Sequence, residues 1–182
     1  MANYTVRVYG DPVLTQVARE VTDIDHKLVK LAEDMLVTLY EEPGLGLAAP
    51  QVGVQKRMFV YDLGGDDDLP QCLINPVLQE TDGEWEYAEG CLSVPGLSWD
   101  IIRPKRVHIT GLDLDGKEVS VEADELLARL FQHELDHLDG VLLLDHLDDE
   151  TRKEARKTLR DLGMGTPEAT ARRATGSGLR LP

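Results

Sequence analysis

His133-Glu134-Leu135-Asp136-His137 is the segment whose residue types and spacing point most directly to chemistry. Residues four apart lie one above the other on a helix face, so the two imidazoles can grip one metal ion. A glutamate beside the first histidine can then reach a metal-bound water as general base, as in a metal-assisted hydrolase. A five-residue pattern with three fixed positions also arises by chance, on a solvated helix face. The flanks argue against that here, because Leu130 and Phe131 precede the segment and Leu138 follows it. An apolar face carrying two histidines and a carboxylate is costly unless something satisfies them.

A catalytic metal site needs a third protein ligand and an open position. Downstream, His146 and Glu154 stand at no spacing that recommends them. Upstream, Glu89-Gly90-Cys91-Leu92-Ser93 puts a cysteine just past a strand-like run, between a glycine and a polar turn. Cys72, the other cysteine, lies inside an apolar run and reads as core. Two cysteines are too few for a disulfide framework, and a reducing cytoplasm suits them. His26 and His108 show no ligand pattern and read as structural or exposed.

The elements that must position these groups follow from periodicity. Apolar residues predict a helix over about 124–138 beneath the two histidines, closed by Asp139-Gly140. An earlier helix is expected over about 25–41, where Ile24, Leu28, Leu31, Ala32, Met35, Leu36 and Leu39 share one face. Asp23 or Asp25 can cap it, and Pro43-Gly44 ends it. Between the two helices, short strands are expected over about 58–62, 72–79, 85–88, 106–112 and 118–121. Asp115-Gly116 joins the last two as a hairpin turn, and residues 64–68 read as an acidic surface loop. The opening residues 4–9 alternate loosely before the turn signal Gly10-Asp11-Pro12. A third helix is expected over about 149–162. A helix, many strands and two more helices make an α+β arrangement.

Composition bounds what such a chain can do. Its 182 residues argue for one domain with an appended tail, and 42% hydrophobic with 29% charged residues is ordinary for a globular protein. Disordered, collagenous and coiled-coil classes are excluded. The longest apolar runs, such as Val141-Leu142-Leu143-Leu144, fall far short of the roughly 20 residues a bilayer needs. No secretory leader is read, and a cytoplasmic location is expected. The net charge of −15 is uneven: −19 over residues 1–149 and +4 over residues 150–182. The body should repel DNA and anionic lipid, whereas the end of the chain could meet a polyanion. From Gly163 onward the composition predicts disorder.

Three motifs in order resemble the peptide deformylases, which remove the formyl group from the N-terminal methionine of new bacterial polypeptides. They are Gly44-Leu45-Gly46-Leu47-Ala48-Ala49-Pro50-Gln51, Glu89-Gly90-Cys91-Leu92-Ser93 and Gln132-His133-Glu134-Leu135-Asp136-His137. With Gly10-Asp11-Pro12-Val13-Leu14, the likeness spans residues 4–150. It implies mixed or antiparallel sheets around a central helix that carries the histidines, with a C-terminal helix. A catalytic domain over 1–149, a basic helix over 150–162 packed on or extending from it, and a disordered tail over 163–182 are expected.

The resemblance also implies roles. Cys91, His133 and His137 would hold Fe²⁺, with Zn²⁺, Ni²⁺ or Co²⁺ as substitutes, since a thiolate and two imidazoles suit all of these. Glu134 would move protons, and Gln51 with the Leu92 backbone N–H would stabilise an oxyanion. Gly44, Leu45, Gly46, Tyr87, Glu89, Gly90, Leu126, Arg129 and Leu130 would contact the substrate. The two glycines would leave room for a peptide backbone, and Arg129 would lend its aliphatic stem. Glu89 and Arg103 would tie the second motif to the strand after it. The partners implied are formyl-methionyl nascent polypeptides and, through the C-terminal helix, the ribosome. An endopeptidase built on the His-Glu-x-x-His helix alone is the alternative, and a non-catalytic metal-stabilised module a third reading.

Overall fold

The computed structural model describes residues 3–64 and 71–165. Helix α1 spans His26–Glu41, and the Asp25 carboxylate caps it by accepting from the Lys27 and Leu28 amides. Strands follow at Gly46–Ala48 (β1), Met58–Tyr61 (β2), Gln71–Asp82 (β3), Trp85–Gly90 (β4), Ser98–Arg103 (β5), Arg106–Leu112 (β6) and Glu118–Asp124 (β7). Helices α2 (Glu125–Leu138) and α3 (Asp149–Asp161) follow, and three single 3-10 turns lie at Pro12–Thr15, Ala49–Val52 and Leu143–His146. Five strands form one sheet in the order β1-β2-β3-β6-β7, while β4 and β5 pair separately. Each of these ladders is antiparallel.

Burial explains why β1, β2 and β3 sit in the middle of the molecule. In β2 every residue is buried, and alternate residues go to opposite sides. Met58 and Val60 join Leu28, Met35 and Leu39 of α1, while Phe59 and Tyr61 join Phe131, Leu135 and Leu138 of α2. Leu47 and Ala48 of β1 split between the same two clusters, as do Ile74 and Leu73 of β3. A sheet filled on both faces fixes α2 rigidly, and α2 carries the histidines. The Phe131 ring meets Tyr61 edge-on at 5.1 Å, which sets the rotation of α2 about its axis.

The third cluster joins the end of the chain to the second motif. Ala155 and Leu159 of α3, together with Met164, are buried among Val8, Val94, Ile101 and Leu144, with Cys91 and Trp99 packed at the edge. Gly163–Gly165 therefore departs from the disorder expected there. Met164 is 3% exposed, and the Gly165 amide donates to the Tyr9 carbonyl at 3.1 Å. Gly10 permits this approach, since a Cβ on it would lie 2.3 Å from Gly165 Cα. The rest of that tail, 166–182, and most of the expected acidic loop at 64–68 lie outside the described residues.

Other differences have physical reasons. Residues 4–9 form no strand; Arg7 and Tyr9 donate singly to the Gln51 and Ser93 carbonyls, and Val6 and Val8 point inward. Strand β5 breaks the apolar pattern because its inward residues include the charged Arg103. The expected strand at 72–79 runs on to Asp82 through polar residues that pair with β6.

Truncating Leu159 to alanine should lower stability by about 2–5 kcal/mol in urea unfolding, since the side chain is fully buried. Leu162→Ala, at a half-exposed position, should stay within about 0.5 kcal/mol of the native protein.

Candidate metal centre

α2 places His133 and His137 one turn apart, with ring centroids 4.9 Å apart and the planes close to perpendicular. Cys91 leaves the end of β4 in a tight turn closed by the Val94 amide on its own carbonyl. The Cys91 Sγ lies 3.2 Å from His137 Nε2, and one ligand atom from each of Cys91, His133 and His137 falls within 4.8 Å of the others. Neither His146 nor Glu154 belongs to this group: His146 Nε2 donates to Asp136 at 2.7 Å, and Glu154 is exposed on α3.

The donor set is prepared for a cation. The Ser93 amide donates to Cys91 Sγ at 3.4 Å. Burial disfavours the thiolate, but the adjacent His137 and His133 outweigh it and hold the Cys91 thiol well below its ordinary value. Cys72 lacks such neighbours, and burial pushes its thiol up to about 12. His133 Nδ1 donates to Glu89 Oε1 at 2.6 Å, which turns its Nε2 toward the ligand group. His137 Nδ1 is buried with no protein partner among the described residues. A thiolate and two imidazoles with an open side fit a first-row divalent ion with three protein ligands.

Glu89 does more than the expected pairing with Arg103. That pair is buried, with both residues at 6% exposure or less, and Arg103 holds the carboxylate with two bonds of 2.9 and 2.6 Å. Arg129 Nη1 adds a third at 2.6 Å. Burial alone would raise the Glu89 carboxyl, but His133 and Arg103 hold it well below the usual carboxylate range. Arg103 also donates to Asp136 at 2.8 Å, so the network reaches His146 near the surface.

Glu134 is 3% exposed, and its Oε2 has no protein partner among the described residues. Burial pushes its carboxyl up to about 7, with the charges of Cys91 and Glu89 adding and those of His133 and His137 opposing. The Gln51 carbonyl oxygen accepts from the Ala48 amide at 2.8 Å, which leaves its Nε2 facing Ser93 Oγ at 3.2 Å and Cys91 Sγ at 3.8 Å.

A cavity of about 660 Å³ opens onto this centre. Every substrate-contacting residue expected from the sequence lies on its wall, with Gln51, Cys91, Leu92, His133 and Glu134. The wall also includes Glu42, Pro43 and the turn Pro95-Gly96-Leu97-Ser98, which carried no chemical signal. Leu126, Arg129 and Leu130 line it from one face of α2. Arg129 presents its stem, since its two terminal nitrogens are taken by Glu89 and by the Trp85 and Ile101 carbonyls. The glycines of the first motif have a further purpose than the one expected. A Cβ on Gly46 would fall 2.4 Å from Glu134 Oε1, and one on Gly44 would fall 2.9 Å from Leu92 Cδ1.

The family model described as Polypeptide deformylase matches residues 3–153. The peptide deformylase of Acidothermus cellulolyticus is 47% identical over 161 residues, 88% of each chain. That of Clostridium botulinum is 49% identical over 145 residues, 80% of this chain and 97% of its own. Among solved structures, a peptide deformylase from Legionella pneumophila matches with TM-score 0.85 and 38% identity, over 89% of this chain and 96% of its own. The Ehrlichia chaffeensis peptide deformylase in complex with actinonin matches with TM-score 0.84 and 36% identity, over 88% and 98%.

Replacing Glu89 with glutamine should weaken metal retention about 10–100-fold in a chelator competition, because His133 loses its charged acceptor.

Proposed function

The chain belongs to the polypeptide deformylase family, and on that premise we propose how its own residues remove the formyl group from formyl-methionine at the start of a new polypeptide. The reaction adds water across the formyl amide and yields formate and a free amine. The observation that carries the reading is the convergence of Cys91, His133 and His137 beside Glu134, whose Oε2 has no protein partner among the described residues.

Cys91, His133 and His137 would hold the ion. Family likeness favours Fe²⁺, with Zn²⁺, Ni²⁺ or Co²⁺ able to substitute. When bound, such an ion polarises the formyl carbonyl and lowers the pKa of water near it.

Glu134 takes the proton of the attacking water on its free oxygen and delivers it to the leaving nitrogen. Gly46 leaves the space in which that carboxylate sits. As the formyl oxygen gains charge, Gln51 Nε2 and the Leu92 backbone N–H donate to it. The anchored carbonyl of Gln51 keeps its amide oriented before the substrate arrives, and one such donor is worth about 3 kcal/mol. The methionine side chain lies among Leu45, Tyr87, Leu126, Leu130 and the stem of Arg129. Gly44, Gly46, Glu89 and Gly90 bound the channel along which the peptide backbone runs.

The endopeptidase alternative expects its third ligand downstream of the helix. Here the sulfur that completes the set comes from upstream, at Cys91.

We further place the enzyme in the cytoplasm, where nascent chains emerge, and its α3 on ribosomal RNA. Among the described residues no helix is long and apolar enough to cross a membrane. Lys153, Arg156, Lys157 and Arg160 are exposed on α3, whereas Arg152 is committed to the Leu144 and Leu147 carbonyls. A polyanion would meet these four exposed cations.

Metal-loaded protein should release formate from a formyl-methionyl peptide. Glu134→Gln should keep its metal and lose about 10²–10⁴ in kcat. Gly46→Ala should keep its metal and lose about 10²-fold, because the carboxylate is displaced. No formate from the native protein would sink the reading. For the ribosome, deleting α3 would disturb the cluster at Cys91, so reversal of the four exposed charges to glutamate is the cleaner change. It should weaken co-sedimentation at low salt and leave formate release from a free peptide unaltered.

A further inference from the structure

Trp85 does not line the cavity, yet it supports one of the cavity's walls. β4 sends Trp85, Tyr87 and Glu89 to one face. Tyr87 is 48% exposed and forms part of the wall. Its ring stacks on that of Trp85, with centroids 4.6 Å apart and planes inclined by 25°. The Arg129 guanidinium stands 5.0 Å from the Trp85 centroid and 5.8 Å from that of Tyr87. Arg129 is held by Glu89 and by the Ile101 carbonyl, and it also donates to the carbonyl of Trp85 itself at 2.6 Å.

Trp85 is thus held twice by one buried cation, through its backbone and across its ring. Tyr87, by contrast, is half open to solvent on a side chain with two soft torsions. A stacked aromatic pair favours its own geometry about two- to tenfold over the alternatives. Tyr87 is nearer the Trp85 ring, at 4.6 Å, than the Arg129 guanidinium, at 5.8 Å.

We propose that Trp85 is a positioning residue for specificity: it holds the Tyr87 ring where a long unbranched side chain can lie against it. Discrimination for methionine then depends partly on a residue that touches no substrate. The proposal rests on the deformylase reading of this cavity.

The test compares formate release from a formyl-methionyl and a formyl-alanyl peptide, the latter too short to lean on Tyr87. Trp85→Leu should raise KM for the methionyl peptide about three- to tenfold and leave kcat within about twofold. Its KM for the alanyl peptide should move less than about twofold, and Trp85→Phe, which keeps a ring to stack on, should retain native values on both. In a Tyr87→Leu background, Trp85→Leu should add nothing, because the ring it acts through is gone. Equal losses on both peptides overturn the proposal, and so does an unchanged KM for the methionyl peptide. Should Trp85→Leu not fold, fluorescence of the native enzyme decides. A bound methionyl peptide must change an emission component that is missing in Trp85→Phe, and an emission indifferent to the peptide overturns the proposal. Absence of formate from both peptides overturns the deformylase reading and this proposal with it. Formate release with discrimination unmoved overturns this proposal alone.

Discussion

One buried carboxylate organises the molecule's functional half. Glu89 accepts from His133, Arg103 and Arg129, so a single side chain of β4 binds β5 and α2 together. Burying an unpaired carboxylate is prohibitive, and burying two arginines without it is equally so. Each ion is tolerated because the others are present. The geometry is therefore all-or-none: β4 cannot shift along α2 without leaving a charge unpaired in the interior. That rigidity is transmitted to His133 through a bond of 2.6 Å and, two residues further along the chain, to Cys91.

The apolar core does a complementary job. The central strands are filled from both sides, by α1 below and α2 above, which leaves α2 no freedom to rotate its histidines out of register. The third cluster, fed by α3 and Met164, supports the turn that carries Cys91. Two packing systems thus meet at one point, each presenting part of a ligand set. An ion held by that set would link its affinity to the stability of both.

Space is controlled as tightly as charge. Gly46 and Gly44 are small because Glu134 and Leu92 occupy the volume a side chain would need. Glu134 is buried with one oxygen unpartnered among the described residues, a costly arrangement that persists only because the surrounding structure is over-determined. Also on the cavity wall, Arg129 serves the Glu89 carboxylate with its head and the apolar pocket with its stem.

Local order was legible in the chain alone. The 3.6-residue period put His133 and His137 on one face of a helix, and the turn residues marked where most strands end, because both depend on neighbours in sequence. The charged sign of the last helix was legible too. Cys91 stood out as a ligand candidate, but its meeting with histidines more than forty residues away belongs to the tertiary structure. Resemblance anticipated it; periodicity could not. The full reach of Glu89, the burial of Met164 and the reason for Gly46 were invisible for the same cause. Each is a contact between distant segments, and a one-dimensional pattern records which residues are able to be buried but not which of them will pack against one another.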